Sequence, residues 1–183
     1  MNQMMQDTET KTPDTSSPPP LPPKLPPEHP RFAKPQRIAF VQSCWHRDVV
    51  MKCQAAFLIE AEARHIPRAA IDIFEVPGSF EIPLHAQILA KTRRYTAIVA
   101  AGLVVDGGIY RHDFVAEAVI DGLMRVQLDT GIPVFSAVLT PHHFHEHAEH
   151  QRFFTEHFEV KGREVAKACT DTVEKLDRLP VAA

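Results

Sequence analysis

The run Thr96–Val105, TAIVAAGLVV, constrains this chain more than any other stretch. It is of strand length and apolar without alternation, the pattern of a strand buried on both faces, which belongs to the middle of a parallel sheet. It ends in Asp106 and the pair Gly107-Gly108, and His112-Asp113 then reads as the start of a helix. A strand end, a glycine turn and a helix N-terminus thus meet at one point, which is where open parallel α/β sheets bind their ligands. Free N–H groups at the helix start favour an anion, and the second glycine lets the backbone approach it. A phosphate is the expected group. The segment is neither GxGxxG nor GxxxxGK[ST], so neither a dinucleotide site nor a P-loop is supported.

The flanking sequence alternates strand and helix. Ile38–Ser43 (IAFVQS) reads as a first strand and Cys44-Trp45-His46 as its connecting loop. Asp48 is suited to cap a helix that places Val49, Cys53, Phe57 and Ala61 on one face. Ala70–Val76 alternates as a strand should, and Pro77-Gly78 breaks it. A second helix is predicted from near Glu81 to Arg94, with Pro83 tolerated in its first turn. The helix after the glycines aligns Val115, Val119, Gly122 and Val126 and should end at Gly131. Pro133–Thr140 reads as a fourth strand. Two further helices, about His143 to Thr155 and Lys161 to Asp177, are expected to close the chain. The predicted architecture is a three-layer α/β sandwich, a doubly wound four-stranded parallel sheet flanked by helices on both faces.

Composition narrows the function classes. The chain has 183 residues, 44% of them hydrophobic, and a formal net charge of −3. One good core is affordable, and there is no basic footprint for nucleic acid or a membrane surface. Cys44, Cys53 and Cys169 are odd in number and form no CxxC, and no stretch has the length and apolarity of a membrane span or a signal segment. These features point to a soluble protein of the reducing cytoplasm. Ten of the 16 prolines fall between Pro13 and Pro35. Proline lacks the donor that helices and ladders need, so residues 1–35 are expected to be a disordered, partly polyproline-II tail. The folded domain is expected to span 36–183.

Loops that follow parallel strands converge on one sheet edge, and here each carries candidate ligand groups. Trp45, the only tryptophan, follows the first strand and offers a flat face for stacking on a heterocycle. Ser79, Phe80 and Glu81 follow the second. Glu81 has two readings: it neutralises its own helix N-terminus, or it accepts hydrogen bonds from a polar ligand. After the fourth strand come His142, His143, His145, His147 and His150. Pairs three and four apart could hold zinc on a helix, but the run is not HExxH and no further ligand group is evident. A solvated, titratable face is the simpler reading, and no metal is expected.

The segments FEVPGSFEIPLHAQILAKTRRYTAIVAAG, GGIYRHDFVAEAVIDGLMRVQLDTGIPVFSAVLT and LTPHHFHEH resemble the 6,7-dimethyl-8-ribityllumazine synthase family of riboflavin biosynthesis. The resemblance runs from about Arg37 to Asp177, and GGIYRHDF and LTPHHFHEH resemble its divergent second (type II) isoenzymes. It implies the flavodoxin-like lumazine synthase fold and the condensation of 5-amino-6-ribitylaminouracil with 3,4-dihydroxy-2-butanone 4-phosphate, without metal or organic cofactor. It also implies sites shared between neighbouring subunits of a pentamer.

Carried over by position, Trp45 takes the place of the aromatic that stacks on the pyrimidine. Ser79, Phe80 and Glu81 would contact that substrate, and Leu103, Val104 and Val105 would line the ring pocket. Gly108 and Ile109 match the backbone pair that receives the phosphate, and Lys161 matches a lysine near the site. The family's proton-transferring histidine aligns on Arg111, with His112 next to it, so both are candidates. The phosphate-binding arginine aligns on His150, with Arg152 two positions on, and a site phenylalanine aligns on Ser136, leaving Phe135 on the opposite face of its strand. Asp106 stands where a basic residue is common and would repel phosphate if it pointed inward.

The segment Phe153–Val160, FFTEHFEV, replaces the tight glycine-rich kink that icosahedral members need between their last helices. Pentamers, paired face to face as decamers, are therefore expected, and histidines at the pairing surface would loosen the pair near pH 5–6. A reading of a different class is a weakly active paralogue that binds ribityl-lumazine or flavin as a carrier or sensor. A purely structural oligomer is a third reading, and the retained ligand loops argue against it.

Overall fold

The computed structural model describes residues 36–106, 111–141 and 148–179, the side chains of 148–151 excepted. The expectations for the tail at 1–35, for Gly108 and Ile109, and for His142, His143, His145 and His147 lie outside the described residues. Strands β1 (Ile38–Ser43), β2 (Ile71–Val76), β3 (Ala97–Leu103) and β4 (Val134–Leu139) alternate with helices α1 (Arg47–Ala63), α2 (Ile82–Lys91), α3 (His112–Thr130) and α4 (Ala148–Asp177). Every strand pair is parallel and the order is β2-β1-β3-β4. All seven residues of β3 are buried, as its unbroken apolar run requires of a central strand.

Period-two alternation divides the sheet between two cores. Ile38 and Phe40 of β1 and Val99, Ala101 and Leu103 of β3 pack with Phe57 of α1 and Phe158 of α4. Ala39, Val41, Ile98 and Ala100 pack with Ala86 of α2 and Val119, Leu123 and Val126 of α3. Phe40 and Phe57 are wholly buried, with ring centroids 5.0 Å apart, and each such side chain contributes roughly 1.5–3 kcal/mol. The chain reverses direction across the sheet between β1 and β3, so the connections leaving their C-terminal ends part to opposite faces and open a crevice. At the other end of the sheet Arg37 donates to both carboxylate oxygens of Asp72, at 2.9 and 2.6 Å, and Tyr95 donates its hydroxyl at 2.8 Å.

The helices correct the sequence reading in three places. Where two terminal helices were expected, α4 runs unbroken through Phe153–Val160. No proline interrupts 148–177, and the buried row Phe154, Phe158, Val165, Ala166, Cys169 and Val173 against α1 outweighs the roughly 1 kcal/mol that Gly162 costs a helix. The N-cap of α1 is His46, not Asp48, which lies in the first turn. The helix expected from Glu81 to Arg94 is a 3-10 turn, Ser79–Glu81, followed by the shorter α2, and Arg93 takes the left-handed conformation beyond its end. The end of α3 is as expected, with Gly131 at φ 67° donating its N–H to Gln127.

Two glycines set helix spacing. A Cβ on Gly162 would overlap the Cys53 carbonyl and lie 2.8 Å from Ala56 Cβ, so α4 sits directly on the α1 backbone there. A Cβ on Gly122 would lie 2.9 Å from Pro83 Cβ, the corresponding close approach of α3 to α2. Cys53 and Cys169 are buried in the α1–α4 core, where desolvation pushes both thiols up to about 12. They are packing residues rather than nucleophiles.

Candidate active site

A cavity of about 440 Å³ opens at the C-terminal ends of β1, β2 and β3. Trp45 and His46 come from the β1–α1 connection, Pro77 to Glu81 from the loop after β2, Leu103 to Asp106 from the end of β3, and His112 and Val115 from the first turn of α3. The lining is mainly apolar with a few polar groups, the usual make-up of a small-molecule site. Trp45 and Phe80 are 66% and 63% exposed. Two large aromatic faces open to solvent at a cavity mouth suit a flat ring.

The wall after β2 is fixed by short polar contacts. Gly78 donates its backbone N–H to Glu81 Oε2 at 2.9 Å, so one carboxylate oxygen of Glu81 holds the turn while the residue still lines the cavity. This contact bears out the first reading of Glu81, a group that satisfies its own helix start. A Cβ on Gly78 would stand 3.8 Å from the Trp45 ring and 3.1 Å from Glu81 Oε2, so the indole lies over a bare backbone. Beneath them the buried Ser79 donates its hydroxyl to Ser43 at 3.5 Å. Room for that pair comes from Gly102 on β3, where a Cβ would overlap Ser79 Oγ and approach Ser43 Oγ to 3.1 Å.

His112 and Arg111, the two proton-transfer candidates, are placed differently. His112 is the first residue of α3 and lines the cavity. Arg111 is not among the lining residues. It donates Nη2 to Asp113 Oδ2 at 3.0 Å, and its guanidinium carbon lies 3.9 Å from the Phe114 ring centroid. Asp106 does line the cavity, adding a carboxylate where phosphate was expected.

The remaining candidates stand apart. Ser136 is exposed on the edge strand β4, with Phe135 on the α1–α4 side as its alternation requires. Lys161 lies on α4 and donates Nζ to Glu164 at 2.7 Å. His150 belongs to α4 by its backbone, and its side chain lies outside the described residues. Among the described residues there is no cluster of three His, Cys, Asp or Glu placed to hold a metal, and no helix long and apolar enough to cross a membrane. His46 also lines the cavity, although in sequence it reads only as part of the connecting loop. Its position beside Trp45, at the end of a parallel strand, was the available signal.

The model of the 6,7-dimethyl-8-ribityllumazine synthase family matches residues 35–177. A protein of Bradyrhizobium diazoefficiens named 6,7-dimethyl-8-ribityllumazine synthase 2 is 71% identical, over 83% of this chain and 91% of its own length. A 6,7-dimethyl-8-ribityllumazine synthase of Rhodococcus erythropolis is 64% identical, over 80% of this chain and 95% of its own. The 6,7-dimethyl-8-ribityllumazine synthase 1 of Caulobacter vibrioides is 37% identical over 79% and 93%. Match and fold agree, and the far higher identity to a protein numbered 2 than to one numbered 1 sets the branch: the chain belongs to the 6,7-dimethyl-8-ribityllumazine synthase family, among its type II isoenzymes.

Proposed function

We propose that the cavity beneath Trp45 is where this enzyme joins 5-amino-6-ribitylaminouracil to 3,4-dihydroxy-2-butanone 4-phosphate, giving 6,7-dimethyl-8-ribityllumazine in the penultimate step of riboflavin biosynthesis. One observation carries the assignment: Trp45, Ser79, Phe80, Glu81, Leu103 to Val105 and His112, chosen from sequence, line a single cavity. The pyrimidine stacks on Trp45, and the ribityl hydroxyls reach Ser79 and Glu81. The uracil amine attacks the ketone and water is lost, a proton leaves the neighbouring carbon, phosphate departs, and the ring closes with loss of a second water. His112 moves the proton, because it lines the cavity and an imidazole can both take up and give back a proton. Arg111, a permanent cation beside the mouth, acts on the phosphate electrostatically. Holding two substrates in register lowers such a barrier by about 7–11 kcal/mol in well-oriented cases, so no cofactor is called for.

Ser136, His150 and Lys161 would then come from a neighbouring copy, in a pentamer or a dimer of pentamers. Exposed Leu84 and Ile88 on α2 and Met124 and Leu128 on α3 support burial of this face between copies. The domain at 36–183 would work in the cytoplasm, where its free thiols are stable. The test is the initial rate of lumazine formation by purified full-length protein, together with its sedimentation velocity. A rate well above the spontaneous condensation from a five- or ten-subunit species is expected. A rate equal to the spontaneous one, or a monomer, contradicts the reading.

A further inference from the structure

Trp45 has little packing to hold it in place. Its indole is 66% exposed and lies over the backbone of Gly78, where a Cβ would stand 3.8 Å from the ring. Two contacts from its own connection, one on each side of it in the chain, reach the end of β2. Before it, Cys44 donates its backbone N–H to the Val76 carbonyl at 2.9 Å. After it, Arg47, the first residue of α1, donates Nη2 to Glu75 Oε1 at 2.6 Å. The indole is thus held between two ties to one strand, and that strand runs directly into the loop that bears Gly78 and Glu81. The first tie extends the hydrogen bonding of the sheet; the second is made by side chains alone.

The second tie is prepared from within the sheet. Glu75 stands beside Gln42 of β1 in the parallel register, and Gln42 donates Nε2 to the same Glu75 Oε1 at 3.1 Å. Gln42 is 1% exposed, and its Oε1 has no hydrogen-bond partner among the described residues. A buried carbonyl left unmatched is costly. Turned over, the amide would set that carbonyl against the carboxylate, so its orientation serves to hold Glu75. With the acceptor fixed in this way, only the Arg47 side chain has to be ordered to close the pair. An ion pair as exposed as this one, at 52% for Arg47 and 39% for Glu75, adds little to stability. Its effect is on position, because a contact whose partner is already ordered fixes the connection at small entropic loss.

We infer that Arg47 is a positioning residue: through its ion pair with Glu75 it holds Trp45 over Gly78 in the orientation on which the pyrimidine stacks. The inference rests on the reading of the cavity given under Proposed function. Because Trp45 is the only tryptophan of the chain, its fluorescence tests the holding apart from the binding. In the unliganded full-length protein Arg47→Met, which removes the charge and keeps an unbranched side chain, should lower the anisotropy of tryptophan emission and increase its quenching by acrylamide. Arg47→Lys, which keeps a charged donor for the one bond to Glu75, should restore both. Calorimetric titration with 5-amino-6-ribitylaminouracil should give a dissociation constant raised about three- to tenfold in Arg47→Met and less than about twofold in Arg47→Lys. Melting temperatures should stay close to that of the wild type in both. A wild type that binds the pyrimidine and an Arg47→Met variant that matches it in fluorescence and affinity would overturn the role of Arg47 alone, and so would a change in fluorescence with no change in affinity. A wild type that does not bind the pyrimidine overturns the cavity assignment and this role with it.

Discussion

Gly162→Ala is expected to destabilise the fold by about 2 kcal/mol or more. The added methyl would overlap the Cys53 carbonyl and come within 3.0 Å of Phe57 N and 2.8 Å of Ala56 Cβ. The oxygen and the nitrogen are backbone atoms inside α1, so no side-chain rotation relieves them. Overpacking of this kind costs about 1–3 kcal/mol and more where the backbone must move, while alanine regains roughly 1 kcal/mol in helix propensity. The loss prevails because separating α1 from α4 also loosens Phe57 and Phe158, both wholly buried between the sheet and these helices. For a chain of this length the melting temperature should fall by roughly 4–8 °C, as thermal unfolding followed by circular dichroism would read. An unchanged or raised melting temperature would mean that the two helices do not meet at this glycine.

His112→Ala should lower kcat by about 100-fold, the lower end of what positioned acid–base groups contribute, whereas Arg111→Ala should cost less than about tenfold. The contrast follows from placement, since His112 lines the cavity while Arg111 is tied to Asp113 and laid over Phe114 at the exposed start of α3. Steady-state rates with both substrates saturating decide between the neighbours. A larger loss in Arg111→Ala would transfer the principal role to the guanidinium and make His112 a lining residue only.

Much of this architecture was legible because the elements obey strong local rules. Ile38–Ser43 is bounded as its apolar run predicts, the unalternating Thr96–Val105 yields the central strand, and Gly131 ends α3 in the left-handed conformation. The lining of the cavity was legible wherever a residue closely follows a parallel strand, as Trp45 and Ser79 to Glu81 do. What escaped the sequence depends on long-range contact. The row from Phe154 to Val173 reads as one face only once α1 is known to lie beneath it, and without α1 the segment Phe153–Val160 looks like an interruption. His46 escaped because a histidine in a short connection gives no sign that two helix N–H groups will hold its backbone at φ 52°. Ser136 and Lys161 resembled site residues by position, yet neither lines the cavity within one chain.

The most direct measurement is calorimetric titration of 5-amino-6-ribitylaminouracil into the wild type and into Trp45→Ala. The indole is 66% exposed and lies over Gly78 rather than in a core, so its removal should leave the melting temperature unchanged. Stacking of a base on an aromatic ring contributes about 1–3 kcal/mol, so affinity should fall about tenfold or more. Equal affinity in the two proteins would place the pyrimidine somewhere other than the cavity beneath Trp45.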